Sequence, residues 1–265
     1  MDPSAVRCAR KLRWSGRSLC FRRVPQVLVL VQPEALRDVL LAVPDETKRW
    51  IGSRWGSGIV APRGWHRGGV KEEGENVDFV NPPFAFVLVD GVLAPKVYRK
   101  FYRSFAEAIE LQGDETVLEF GCGSGGISEH LAPRLKSGSL LCLDISPPML
   151  RIAKKRLARY VHVRFLAKPI GDAELHEASI DVIAIHNAFH DLPVEERERT
   201  AAVLASLLKP GGRLCFREPT KPSHGLPPDV YRSLMIDAGL IETGSVETSL
   251  FPIGPVFQAE FRKPD

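Results

Sequence analysis

Runs of apolar residues, separated by stretches with helical spacing, organise the second half of this 265-residue chain. Residues 116–120, 139–144, 161–166, 180–186 and 212–217 are short and apolar, the pattern of buried strands. Between and after them, 126–136, 147–159, 194–208 and 228–238 carry apolar residues three and four apart, the pattern of helices. Such alternation predicts a parallel sheet with right-handed crossovers and helices on both faces. At the end the rhythm changes. Ser245 to Leu250 and Val256 to Phe261 are alternating runs joined by Phe251-Pro252-Ile253-Gly254-Pro255, which predicts one antiparallel pair. Upstream, Lys96 to Ile109 sets Val97, Phe101, Phe105, Ala108 and Ile109 on one helical face, opposite Arg99, Lys100 and Arg103. Tyr98 and Tyr102 of that helix are candidates for a substrate mouth.

The first third reads differently. Val27–Val31 has strand character and Pro33–Leu41 that of a short helix with proline in its first turn, whereas 44–83, with Trp50, Trp55 and Trp65, reads as a long irregular linker. The chain is therefore divided into a partly disordered N-terminal extension, 1–83, and a folded domain, 84–265.

Charge sharpens that division. Net charge is +4, but residues 1–31 hold seven Arg and Lys against Asp2 alone, which leaves −2 for the remainder. The basic leader reads as a disordered tail or as a mitochondrial-type transit segment; the expected location is cytoplasmic, with the mitochondrion as the alternative. The near-neutral body gives no reason to expect a nucleic-acid partner. No apolar run is long enough for a transmembrane segment. Five cysteines show no C-x-x-C spacing and fit a reducing compartment.

The candidate chemistry gathers at Val117-Leu118-Glu119-Phe120-Gly121-Cys122-Gly123-Ser124-Gly125-Gly126, an apolar strand that turns into a helix over glycines. Glycines let a ligand approach the backbone, and the following helix start favours a phosphate or a carboxylate. Gly121, Gly123 and Gly126 satisfy the dinucleotide spacing G-x-G-x-x-G, with Asp144 downstream for a ribose. Gly121, Gly123 and Gly125 behind Glu119 satisfy E-x-G-x-G-x-G equally well.

Three further stretches decide between them. Leu143-Asp144-Ile145-Ser146-Pro147-Pro148-Met149-Leu150, Ser179-Ile180-Asp181-Val182-Ile183 and Leu207-Leu208-Lys209-Pro210-Gly211-Gly212-Arg213-Leu214 follow in order. With the glycine string they make Tyr98 to Lys263 resemble the class I S-adenosylmethionine-dependent methyltransferases, particularly small-molecule enzymes related to ubiquinone and menaquinone biosynthesis. The resemblance implies an α/β, Rossmann-like, seven-stranded, mostly parallel sheet ending in the antiparallel pair. It implies S-adenosyl-L-methionine as cofactor and a small-molecule methyl acceptor. It assigns the cofactor to Glu119, Gly121, Cys122, Gly123, Asp144, Ile145, Ile170 and Asn187. Glu119 is expected to meet the methionine ammonium, backbone N–H groups of Gly121–Gly123 the carboxylate, and Asp144 the ribose hydroxyls. Where the family usually has an Asp that reads adenine, this chain has Pro169-Ile170; Ile170 is left to pack on the ring and offer its N–H.

His186-Asn187-Ala188-Phe189-His190-Asp191 follows the fourth strand, where relatives place acceptor contacts. His190 is the candidate base, since imidazole titrates near neutrality, with Asp191 to orient it or cap the next helix. Glu218 faces the same crevice, as a substrate contact or a support for its loop. His186 and His190 lack a third partner for a metal, and none is expected. The alternative function is a catalytically silent methyltransferase-fold protein that binds or assembles.

Overall fold

The computed structural model describes residues 12–14, 17–19, 78–83, 86–222, 224–250 and 254–265. The expected strand at 27–31, the helix at 33–41 and the tryptophans of the linker lie outside these residues. Contacts divide the chain into one unit of residues 1–18 and 75–265 and a second of 19–74; the architecture below is that of the first.

Within the basic leader, β1 (Leu12–Trp14) and β2 (Arg17–Leu19) form a two-stranded sheet. The main sheet comprises β3 (Thr116–Phe120), β4 (Ser139–Leu143), β5 (Val163–Leu166), β6 (Ile180–His186), β7 (Leu208–Lys221), β9 (Ile241–Leu250) and β10 (Gly254–Arg262), with the two-residue β8 (His224–Gly225) beside β7. Its order is β5-β4-β3-β6-β7-β10-β9. The five strands from β5 to β7 run parallel, and β10 lies antiparallel between β7 and β9. That is the seven-stranded, mostly parallel sheet expected, with its antiparallel terminal pair.

Helices cover both faces because successive strand residues alternate sides. Val117, Val182, Ala184 and Cys215 pack with Phe105, Leu131, Leu150 and Ala153 from α2 (Arg99–Ala108), α3 (Ser128–Leu131) and α4 (Pro147–Arg156). Leu118, Ile183, Ile185 and Phe216 pack on the other side with Leu204, Tyr231 and Met235 from α5 (Val194–Leu207) and α6 (Pro228–Asp237).

Three boundaries depart from the periodicity. The helix expected over 96–109 breaks at Tyr98 (φ −96°, ψ 17°), leaving a short α1 (Ala94–Val97) before α2. The break resets the helical phase, so Val97, expected on the buried face, is 53% exposed. The helix expected over 126–136 shortens to α3 and a 3-10 turn, Ala132–Arg134, because Pro133 has no N–H for a further helical bond. β7 begins four residues early, at Leu208, and a register shift against β6 absorbs Lys209–Gly212.

That shift explains two of the ordered motifs. Asp181 accepts from the Thr116 N–H at 2.8 Å and pairs with Lys209 Nζ at 2.7 Å. The Ser-Ile-Asp and Leu-Lys-Pro-Gly-Gly stretches thus lock the starts of β3, β6 and β7 together, far from the strand ends where chemistry occurs.

Candidate active site

The carboxyl ends of β3, β4, β6 and β7 deliver the candidate residues, as topology demands of a sheet whose order reverses between β3 and β6. After Phe120, Gly121, Gly123 and Gly125 all take left-handed φ values of 69°, 52° and 80°. A Cβ on Gly121 would lie 2.3 Å from Ala188 Cβ, so glycine there lets the post-β3 turn touch the post-β6 loop.

The loop is held largely by its own polar groups. Gly121 and Cys122 both donate their N–H to Leu143 O, at 2.9 and 3.0 Å. The Gly123 N–H donates to Asp144 Oδ2 at 2.6 Å, and Asp144 Oδ1 accepts from the Ser146 N–H at 2.8 Å. Three N–H groups expected to face a carboxylate are therefore spent within the protein. Asp144 clamps the loop while its remaining lone pairs stay available. Burial raises its pKa above the ordinary carboxylate value. Ser146 caps α4 by accepting from the Met149 N–H, so that duty does not fall to Asp144.

Glu119 is almost fully buried, and Ser128 Oγ donates to its Oε2 at 2.5 Å. Burial first, and then the charge of Asp144, push its pKa up to about 8, with the Ser128 bond opposing. Among the described residues no cation pairs with it. The Cys122 thiol is buried beside the loop, and burial pushes its pKa well up, so it is no nucleophile. Arg156, unnoticed in the sequence, donates to Ser124 O at 2.7 Å and to Gly91 O at 3.1 Å, fastening the segment before α1 to the glycine turn. Ile145 is 40% exposed beside Asp144, whereas Ile170 is buried in a 3-10 turn, Ile170–Asp172.

At the end of β6 the chain reverses through Asn187, held at φ 54° with its N–H on Arg217 O. A 3-10 turn, Phe189–Asp191, then brings His190 over Glu218 from β7. Glu218 is fully buried and accepts from the N–H groups of Ala188, Phe189 and His190, at 2.7, 3.1 and 3.2 Å. Its Oε2 also lies 2.6 Å from His190 Nδ1. Asp191, expected to orient the ring, sits instead on the opposite nitrogen, 3.3 Å from Nε2. The orienting residue is Glu218, because three loop N–H groups fix its carboxylate while Asp191 stays partly in solvent. Burial disfavours a charged His190, but the hydrogen bond and charge of Glu218, aided by Asp191, prevail and raise its pKa.

His186 does not join His190. Its ring lies among Phe101, Tyr102 and Phe105, with centroids 5.0, 5.6 and 5.3 Å away. Burial, with the charge of Arg217, holds its pKa well below 6.5. Among the described residues no group of three or more His, Cys, Asp or Glu suits a metal, and no helix is long and apolar enough to cross a membrane.

A methyltransferase-domain family profile matches residues 117–212. An uncharacterized methyltransferase of Mycobacterium tuberculosis is 33% identical over 113 residues, 43% of this chain and 55% of the relative. The ubiquinone/menaquinone biosynthesis C-methyltransferase of Azotobacter vinelandii is 31% identical over 148 residues, 54% of this chain and 58% of the relative. The chain thus spans little more than half the length of these relatives. Among solved structures, the N-methyltransferase NodS of Bradyrhizobium japonicum, in complex with S-adenosyl-L-homocysteine, has a TM-score of 0.55 at 22% identity and covers 67% of this chain and 91% of its own, a likeness of fold. Residues 117–212 thus match a methyltransferase domain, and the sheet order and ordered motifs around them are similar to those of class I S-adenosylmethionine-dependent methyltransferases.

Proposed function

We propose that the protein transfers a methyl group from S-adenosylmethionine to a small-molecule acceptor. The observation that carries this reading is the pair of carboxyl groups beside the left-handed glycines: Glu119, buried with no cation on it among the described residues, and Asp144, clamped to Gly123. A ligand ammonium suits the first and vicinal hydroxyls the second, so the residues present fit the cofactor. When bound, S-adenosylmethionine supplies an electrophilic methyl group on a sulfonium sulfur.

Glu119 binds the ammonium and Asp144 orients the ribose. Ile145 and Ile170 offer apolar surface to the adenine, and Gly121, Cys122 and Gly123 form the turn that approaches the methionine end. Because the N–H groups of Gly121–Gly123 are already engaged, the methionine carboxylate draws on donors further along the turn and helix start. Asn187 fixes the backbone reversal that closes the same crevice.

His190 is the proton acceptor for an acceptor hydroxyl or ammonium. Glu218 holds Nδ1 and thereby leaves Nε2, on the Asp191 side of the ring, as the basic atom. Methyl transfer needs in-line approach and exclusion of water more than strong acid–base help, so this contribution is an aid to acceptors that must lose a proton.

Incubating the protein with methyl-labelled S-adenosylmethionine and a panel of phenols, amines and quinols tests the reading. Label should appear in at least one acceptor and vanish with D144N. Cofactor binding without transfer to any acceptor would instead favour a silent binding protein.

A further inference from the structure

Two polar groups on the α2 side of the sheet remain unspent. Arg217 is the register partner of His186 across β6 and β7, and both residues flank the same two rings. The Arg217 guanidinium lies 5.0 Å from the Phe101 centroid and 4.9 Å from that of Phe105. It is 5% exposed, and no carboxylate among the described residues pairs with it. Its Nε donates to Gln258 Oε1 at 2.7 Å, and Nη1 donates to Phe101 O at 3.1 Å and Ser104 Oγ at 3.2 Å.

Those bonds pin α2 to the strand ends and use three of the five N–H donors of a guanidinium. Both donors on Nη2 are left without a partner among the described residues. His186 Nε2 is buried without a hydrogen bond. A buried cation lacking an anion costs free energy that a structural pin does not require, since a neutral amide could hold the same carbonyl. Burial lowers the Arg217 pKa to about 9.

We propose that Arg217 Nη2 and His186 Nε2, roofed by Phe101, Tyr102 and Phe105, form a subsite for an anionic oxygen on a planar methyl acceptor. This rests on the methyltransferase reading above and adds the acceptor's chemical class. Two donors beside aromatic rings suit a carboxylate or an ionised ring hydroxyl. His186, held neutral, contributes its Nε2–H tautomer without adding a second charge.

The test is calorimetric titration of the full chain, saturated with S-adenosylhomocysteine near neutral pH. The probes are benzoate and pentafluorophenolate, with benzamide as the neutral control. At least one anion should bind about ten-fold or more tightly than benzamide, R217Q should abolish that preference, and R217K should retain part of it. Preference for benzoate identifies a carboxylate-bearing acceptor, and preference for the phenolate an ionised ring oxygen. Equal affinity of all three probes for the wild-type protein overturns the subsite, whether or not R217Q folds. A preference that survives in R217Q overturns it too. If S-adenosylhomocysteine itself fails to bind, the methyltransferase reading fails first and the subsite falls with it; normal binding without anion preference removes the subsite alone.

Discussion

Glu218 Oε2 lies 2.6 Å from Nδ1 of His190, and both side chains are buried between the end of β7 and the loop after β6. The carboxylate also gathers three backbone N–H groups of that loop, so one residue both shapes the loop and aims the imidazole.

Replacing Glu218 should therefore have two separable effects. E218Q keeps the bulk but loses the charge and turns an amide NH2 against donors that the carboxylate had accepted from, and kcat with a hydroxyl acceptor should fall about 100-fold while S-adenosylhomocysteine affinity changes little. E218A strands buried donors and should cost about 1–3 kcal/mol in denaturant unfolding. If Asp191 were the orienting group, D191N rather than E218Q would give the larger kcat loss.

The same contact sets a pH dependence. Its net effect raises the His190 pKa, so the stability it contributes is complete below the ordinary imidazole value and lost as pH rises through the raised one. Unfolding free energy of the wild type relative to H190N should decline across that window. Activity should move the opposite way, because only the neutral ring accepts a proton. A kcat profile that falls with rising pH there would exclude His190 as base.

Glu119 makes a prediction of opposite origin. With its pKa raised to about 8, the carboxyl is mostly protonated near neutrality in the free protein, and its burial costs stability as pH rises from the ordinary carboxylate range toward that value. A bound ammonium reverses the preference. Near pH 7, S-adenosylhomocysteine binding should release about one proton, read as a dependence of the binding enthalpy on buffer ionisation, and E119Q should remove that release. Proton release unchanged in E119Q would assign it to another group.

Gly121 is the backbone hinge of the arrangement. G121A would force an L-residue to φ 69° and set its Cβ against Ala188, and a loss of about 2 kcal/mol or more is expected in chemical denaturation. G121A with A188G should recover part of that loss, whereas no recovery would mean the contact is not the cause.

Sheet order, the antiparallel pair and the glycine turn were readable because apolar periodicity and glycine placement leave local marks. The places of Glu119, within β3, and Asp144, just after β4, were readable because motif spacing ties both to the glycine turn. What stayed hidden depends on contacts across long sequence distances. Glu218 lies 28 residues from His190, so nothing local to Asp191 disclosed that the ring turns the other way. The engaged N–H groups of Gly121 and Cys122 depend on a carbonyl at Leu143 that no motif names. Arg217 and Arg156 likewise act on backbone atoms, Phe101 O and Ser124 O, which carry no sequence signature.

Glu119, Asp144 and the three left-handed glycines together make up the proposed cofactor site. Calorimetric titration of the full chain with S-adenosylmethionine and S-adenosylhomocysteine tests it most directly. One saturable site is expected for each ligand, weakened about ten-fold or more by D144N and by E119Q. Absence of binding by both ligands, or affinities that both substitutions leave unchanged, would contradict it.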